Sequence, residues 1–221
     1  MDYQEFLTVL QGYAEKDFAD FQRKLIPTSQ TILGVRTPTL RKLAKQYTPF
    51  FKDIFEFPDS IYEVTFIKLA QVSALPYNTF ILYVEDCVEK IDNWSTCDTF
   101  KAKCLYKNRE EFLPIIKRLF DSGEEFKQRY ALVTLLSYYV DEPYLPLIEE
   151  YVFRADYSLY YVHMAVAWLV AELLIKYYDF GVKLLQKQRL PKKTQNKAIQ
   201  KAIESFRLDN KEKEFLRALR N

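Results

Sequence analysis

Thr37-Pro38-Thr39-Leu40-Arg41-Lys42-Leu43-Ala44-Lys45 carries the signals of a helix start. Thr37 offers the side-chain oxygen of an N-cap, and Pro38 suits the first helical position, where its missing N–H costs nothing. Apolar residues then recur at helical spacing, and they continue to do so through nearly the whole chain, with short turns marked by Pro, Asp, Asn or Gly. The pattern predicts helices over residues 60–75, 77–91, 95–107, 109–121, 124–140, 143–154, 158–178, 179–187, 191–206 and 210–220. No stretch has the alternation of a strand, so the fold class is all-α.

These helices pair, and the first member of each pair begins near residues 60, 95, 124, 158 and 191. Steps of about 30–35 residues are those of helical-hairpin repeats. A lone hairpin leaves apolar surface uncovered, so neighbours must stack, which predicts an α-α superhelix (solenoid) running as one domain over residues 1–221. A non-repetitive helical bundle satisfies the same periodicity. In a superhelix the inner helices line one concave face, a surface suited to an elongated ligand.

Hydrophobic residues make up 49% of the chain, with 17 Tyr and 17 Phe, which is ample for a core and argues against disorder. Only four glycines are present, too few for the glycine loops that cradle dinucleotides and phosphates. The net charge of +2 hides an asymmetry: from Lys183 onward there are twelve Lys or Arg against four Asp or Glu, while the rest carries 20 against 26. A basic terminal quarter on a mildly acidic body suits a polyanionic partner, and equally a solvated lysine-rich helix face. Cys87, Cys97 and Cys104 are odd in number and lack a C-x-x-C pair, so neither disulfides nor a metal site is expected. The opening MDYQEFLTVL lacks the basic-then-apolar order of a signal peptide, and Tyr161 to Ile175 is too short and too polar to span a bilayer. A cytoplasmic monomer without membrane contact is expected.

Four residues stand out on the inner helices. Trp94 and Asp98, in Asn93-Trp94-Ser95-Thr96-Cys97-Asp98, are spaced i, i+4 and so share one side of a helix. Arg129 lies in Gln128-Arg129-Tyr130-Ala131 at the start of the next inner helix, and Trp168 lies in Ala165-Val166-Ala167-Trp168 inside the one after. Each has a purely structural reading as well. Asp98 stands three residues after Ser95, as in a capping box. Trp94 suits a hydrophobic staple, Trp168 a core position, and Arg129 an ion pair with Glu124 or Glu125. The single histidine, His163, reads as an interior residue, since no nucleophile or acid sits at a helical offset from it.

Leu33-Gly34-Val35-Arg36-Thr37-Pro38, with the three segments just quoted in order at repeat spacing, resembles the AlkD-like DNA alkylation repair proteins over residues 30–205. That resemblance implies HEAT-like helical hairpin repeats and a cofactor-free DNA glycosylase that excises cationic N3- or N7-alkylated purines from double-stranded DNA. It implies Asp98 as the catalytic carboxylate, Trp94 and Trp168 beside the deoxyribose, and Arg129 on a phosphate. The chemistry is coherent. An alkylated purine leaves readily because it is already cationic, and a fixed carboxylate stabilises the oxocarbenium charge that develops on the sugar. Lys187, Arg189, Lys192, Lys193 and Lys197 form the candidate DNA-backbone contact at the basic end. The sequence departs from the pattern before Gly34, where no tyrosine falls at the expected distance and Phe18 and Phe21 are the candidates to substitute. It departs again beside Trp168, where Tyr161-Val162-His163-Met164 supplies no lysine or arginine. The alternatives are a DNA-binding paralogue that does not cleave, or a protein-interaction solenoid.

Overall fold

The computed structural model describes residues 1–220 and is all-α, with no strand among them. Its residues cluster into two compact units, Met1–Asn108 and Arg109–Asn221. No helix among the described residues is long and apolar enough to cross a membrane.

The first unit contains α1 (Tyr3–Gln11), α2 (Lys16–Leu25), α3 (Thr37–Gln46), α4 (Phe51–Glu56), α5 (Tyr62–Val72), α6 (Tyr77–Phe80), α7 (Val84–Glu89) and α8 (Trp94–Thr99). Helix α3 begins at Thr37 itself, with Arg36 as the extended cap residue and Pro38 in the first turn, one residue earlier than the expected Thr37 cap. Helix α5 packs against α3, α4, α7 and α8, and is buried around almost its whole circumference. A helix so enclosed must satisfy its polar side chains internally. Lys68 does so through Asp59 at 2.9 Å and the Phe57 carbonyl. Burial pushes its ammonium below the ordinary lysine value, and Asp59 opposes that shift.

Glu63 is fully buried and accepts the backbone N–H groups of Leu33, Gly34 and Val35 at 3.1, 2.8 and 3.2 Å. Gly34 sits at φ +89°, and a Cβ there would lie 2.3 Å from the Glu15 carbonyl oxygen and 2.7 Å from the Ala19 nitrogen. Here the glycine is required twice over, by its dihedral and by the backbone of α2 pressed against it.

Two predicted helices are broken. Residues 77–91 divide into α6 and α7, and residues 95–107 become α8 followed by a 3₁₀ turn, Lys103–Lys107. In α8 the hydroxyls of Thr96 and Thr99 donate back to the carbonyls of Asn93 and Ser95, which competes with continuation of the helix.

The second unit follows the hairpin scheme closely. It contains α9 (Arg109–Asp121), α10 (Glu125–Tyr138), α11 (Leu145–Arg154), α12 (Tyr160–Lys176), α13 (Tyr178–Gln186), α14 (Lys192–Ile203) and α15 (Asn210–Ala218). The inner layer is α10, α12 and α14 in contact order, with α9 against α10, α13 against α12 and α15 against α14. The first residues of the inner helices lie within two positions of those predicted.

Candidate functional site

Asp98 projects from α8 into a groove of about 660 Å³ in the first unit. Arg41 and Lys45 of α3 and Lys101 line the same groove, with α5 as its floor. Neither Arg41 nor Lys45 has a carboxylate partner among the described residues. The cap of α8 comes from Asn93, whose side-chain oxygen accepts the Thr96 N–H at 3.0 Å. Ser95 shares a 2.8 Å hydrogen bond with the Tyr62 hydroxyl and pins α8 to α5. The capping residue of this helix is thus Asn93, where the sequence also allowed a Ser95–Asp98 box.

Trp94 is half-buried, packs on the core of the first unit and donates its indole N–H to the Leu25 carbonyl at 3.0 Å. That bond satisfies a carbonyl at the C-terminal end of α2, so the tryptophan fastens the N-terminal helices to α8. On α2, Phe21 is 56% exposed, while Phe18 stacks on it and lies under the Arg36 guanidinium at 4.1 Å. Phe21 therefore faces outward, while Phe18 is partly covered by Arg36 and Phe21.

In the second unit, Arg129 is only 6% exposed. Its Nη1 donates to the Tyr161 carbonyl at 2.8 Å, and its guanidinium lies 5.8 Å from the Tyr161 ring. Trp168 is half-buried on α12, whose other residues are mostly buried. Of the basic residues, Lys187 pairs with Glu149 at 2.6 Å and Arg189 lies 4.1 Å over the Phe153 ring. Lys192, Lys193 and Lys197 are exposed on α14.

Sequence reasoning missed a polar ladder that joins successive inner helices. Glu125 of α10 accepts the Tyr161 N–H at 2.6 Å, Gln128 accepts the Asp156 N–H at 3.2 Å, and Arg129 takes the Tyr161 carbonyl. Helix α12, which has no side-chain cap of its own, is in effect capped from the preceding repeat. One step further, His163 of α12 meets Thr194 of α14 at 2.8 Å. The only prior signal was the recurrence of polar residues near inner-helix starts.

His163 is 4% exposed, and burial together with the charges of Lys193 and Lys197 holds its imidazole below the ordinary 6.5. The folded state therefore releases a proton that the unfolded chain binds below 6.5. The stability this confers is complete above that value and is lost as pH falls from 6.5 toward the lowered folded-state value. Urea midpoints are expected to fall between about pH 7.5 and about pH 5.5, and His163→Gln to flatten that segment of the profile. Equal slopes in the two proteins would reject the assignment.

No disulfide joins the cysteines among the described residues, and burial pushes the Cys87 thiol up to about 12, so it stays protonated. No curated protein matches the chain. The family model described as DNA alkylation repair enzyme matches residues 6–206, a span that takes in Trp94, Asp98, Arg129 and Trp168. With nearly its whole length so matched, the chain belongs to the DNA alkylation repair enzyme family.

Proposed function

We propose that the protein is a DNA glycosylase that removes cationic N3- or N7-alkylated purines, with Asp98 as the carboxylate that stabilises the developing oxocarbenium charge. The observation that carries this reading is Asp98 opening into a groove also lined by Arg41, Lys45 and Lys101. A carboxylate among cations suits a nucleic-acid site, where phosphates meet the cations and the electron-deficient sugar meets the carboxylate. Trp94 and Trp168 are the aromatic residues proposed for the deoxyribose, and Phe21 is the exposed aromatic available for the lesion. Lys187, Arg189, Lys192, Lys193 and Lys197 supply backbone attraction. Family membership supports DNA as the partner.

The test is release of 3-methyladenine and 7-methylguanine from alkylated duplex DNA, with Asp98→Asn as the control. No release above a protein-free blank rejects catalysis, and release equal to that of the variant rejects Asp98 as its carboxylate.

A second reading, a DNA-binding member that does not cleave, is favoured by one observation. Lys192, Lys193 and Lys197, exposed on α14, offer phosphate attraction that needs no carboxylate. This reading predicts duplex affinity that falls steeply with salt in the absence of base release, because each neutralised phosphate frees counterions. A salt-independent affinity counts against it.

A further inference from the structure

Within the second unit, a cavity of about 520 Å³ opens between α12, α14 and Arg220. This is within the ~300–1,000 Å³ range of small-ligand sites. Lys193 and Lys197 stand one helical turn apart on its α14 wall, and Arg220 reaches it from beyond α15, donating to the Gln200 side chain. Gln200 in turn donates to Glu204 at 2.6 Å, so the arginine is held in place through an amide. On the opposite side stand Tyr160, 53% exposed, and Met164, with buried His163 behind them. The Lys193 ammonium lies 5.5 Å from the Tyr160 ring centre.

What marks this cavity is the convergence of three cations on one aromatic-lined space, where several other cations of the unit are neutralised by carboxylates. Arg109 and Lys176 share Asp141, Arg154 pairs with Asp121 and Glu150, Lys187 with Glu149, and Arg207 with Glu172. Lys193 and Lys197 have no carboxylate partner among the described residues, and they converge on one cavity with a third cation. Their positive field reaches the buried imidazole of His163 and helps to hold it neutral. Cations gathered against their mutual repulsion, beside an exposed aromatic ring, match a ligand that carries a phosphate and a flat base.

We propose that this cavity is a nucleotide site, in which Lys193, Lys197 and Arg220 hold a phosphate monoester and the Tyr160 ring stacks on the base. The nucleotide has two sources, a free 5′-mononucleotide or the 5′-phosphorylated end of a DNA strand. The site gives Lys193 and Lys197 one defined ligand in place of general backbone contact. It is independent of Asp98 and of base release.

His163 is the chain's single histidine, which makes its imidazole proton resonance an unambiguous reporter inside this site. Full-length protein is titrated with 5′-dAMP, deoxyadenosine and inorganic phosphate, and then with an oligonucleotide bearing either a 5′-phosphate or a 5′-hydroxyl. The expected result is a saturable shift of the His163 resonance with 5′-dAMP and a rise in its pKa, because the bound anion offsets the two lysines. Deoxyadenosine gives no response and inorganic phosphate a weaker one. Saturation by the 5′-phosphorylated strand and not by its 5′-hydroxyl counterpart assigns the site to strand ends, and saturation by 5′-dAMP alone assigns it to free nucleotides.

Lys193→Gln with Lys197→Gln weakens 5′-dAMP binding at least about tenfold, as loss of two charge-assisted contacts requires. Tyr160→Ala weakens 5′-dAMP binding and leaves that of inorganic phosphate unchanged. An unperturbed resonance at millimolar 5′-dAMP overturns the proposal, as does equal affinity for inorganic phosphate, or full affinity in the double lysine variant. Because the probes are mononucleotides, a protein that fails to cleave or hold duplex DNA still returns a clear answer.

Discussion

Asp98→Asn is expected to slow release of 7-methylguanine by about 10²–10³-fold, the usual effect of removing one group aimed at developing charge. That corresponds to about 3–4 kcal/mol of transition-state stabilisation. The substitution preserves shape and removes the carboxylate that would meet the oxocarbenium sugar. The fold should not register it, because the cap of α8 is Asn93 and α8 is fixed to α5 by the Ser95–Tyr62 hydrogen bond. Thermal midpoints of the two proteins should therefore coincide. Duplex binding should hold or tighten, since a negative charge has been removed from a groove lined by Arg41, Lys45 and Lys101. Slower release with undiminished binding is the signature of a catalytic carboxylate. Equal loss of both makes Asp98 a structural residue, and unchanged release removes it from the mechanism.

Gly34→Ala is expected to cost about 3–5 kcal/mol of stability, combining a left-handed dihedral with overpacking against a rigid neighbour. The added methyl would meet backbone atoms of Glu15 and Ala19, and neither can step aside as a flexible side chain would. Relief requires the start of α2 to move, yet the Glu15 N–H donates to the Gly34 carbonyl at 3.2 Å and Arg36 ion-pairs with Glu15 at 2.7 Å. Glu63→Gln tests the same latch from the other side. It leaves an amide where three backbone N–H groups converge on a carboxylate, at a cost of about 2–3 kcal/mol. Because both changes loosen one loop, the double variant should lose less than the sum of the singles. Urea unfolding with near-ultraviolet circular dichroism measures all three. A Gly34→Ala loss under about 1 kcal/mol would show that the α2 contact yields easily.

Much of the second unit was legible from hydrophobic spacing. The predicted helix 109–121 coincides with α9, and the inner helices begin within two residues of expectation, because long periodic segments between clear turns leave few alternatives. In the first unit the spacing misled at residues 77–91 and 95–107. There the apolar pattern persists, while local hydroxyl-to-carbonyl bonds and short turns interrupt the helical ladder. The candidate site divides in the same way. The i, i+4 spacing put Trp94 and Asp98 on one helix, and α8 carries both. Nothing in the spacing showed that the Trp94 indole N–H would reach the Leu25 carbonyl, since those residues are 69 positions apart.

By itself the sequence determined that this chain is all-α, because periodicity is a local property that each segment carries alone. Thr37 and Pro38 start a helix wherever the rest of the chain lies. Only the tertiary structure decided how polar side chains are used. Arg129 looked like a phosphate ligand or half of an ion pair, and one of its nitrogens donates to the Tyr161 carbonyl at the start of α12, because a buried helix end must find its partners in a neighbouring repeat. His163 was rightly read as interior, yet its bond to Thr194 and its place behind Lys193 and Lys197 depend on α14 packing against α12. Hydrogen bonds across repeats are chosen by packing, and packing joins residues that linear spacing cannot connect.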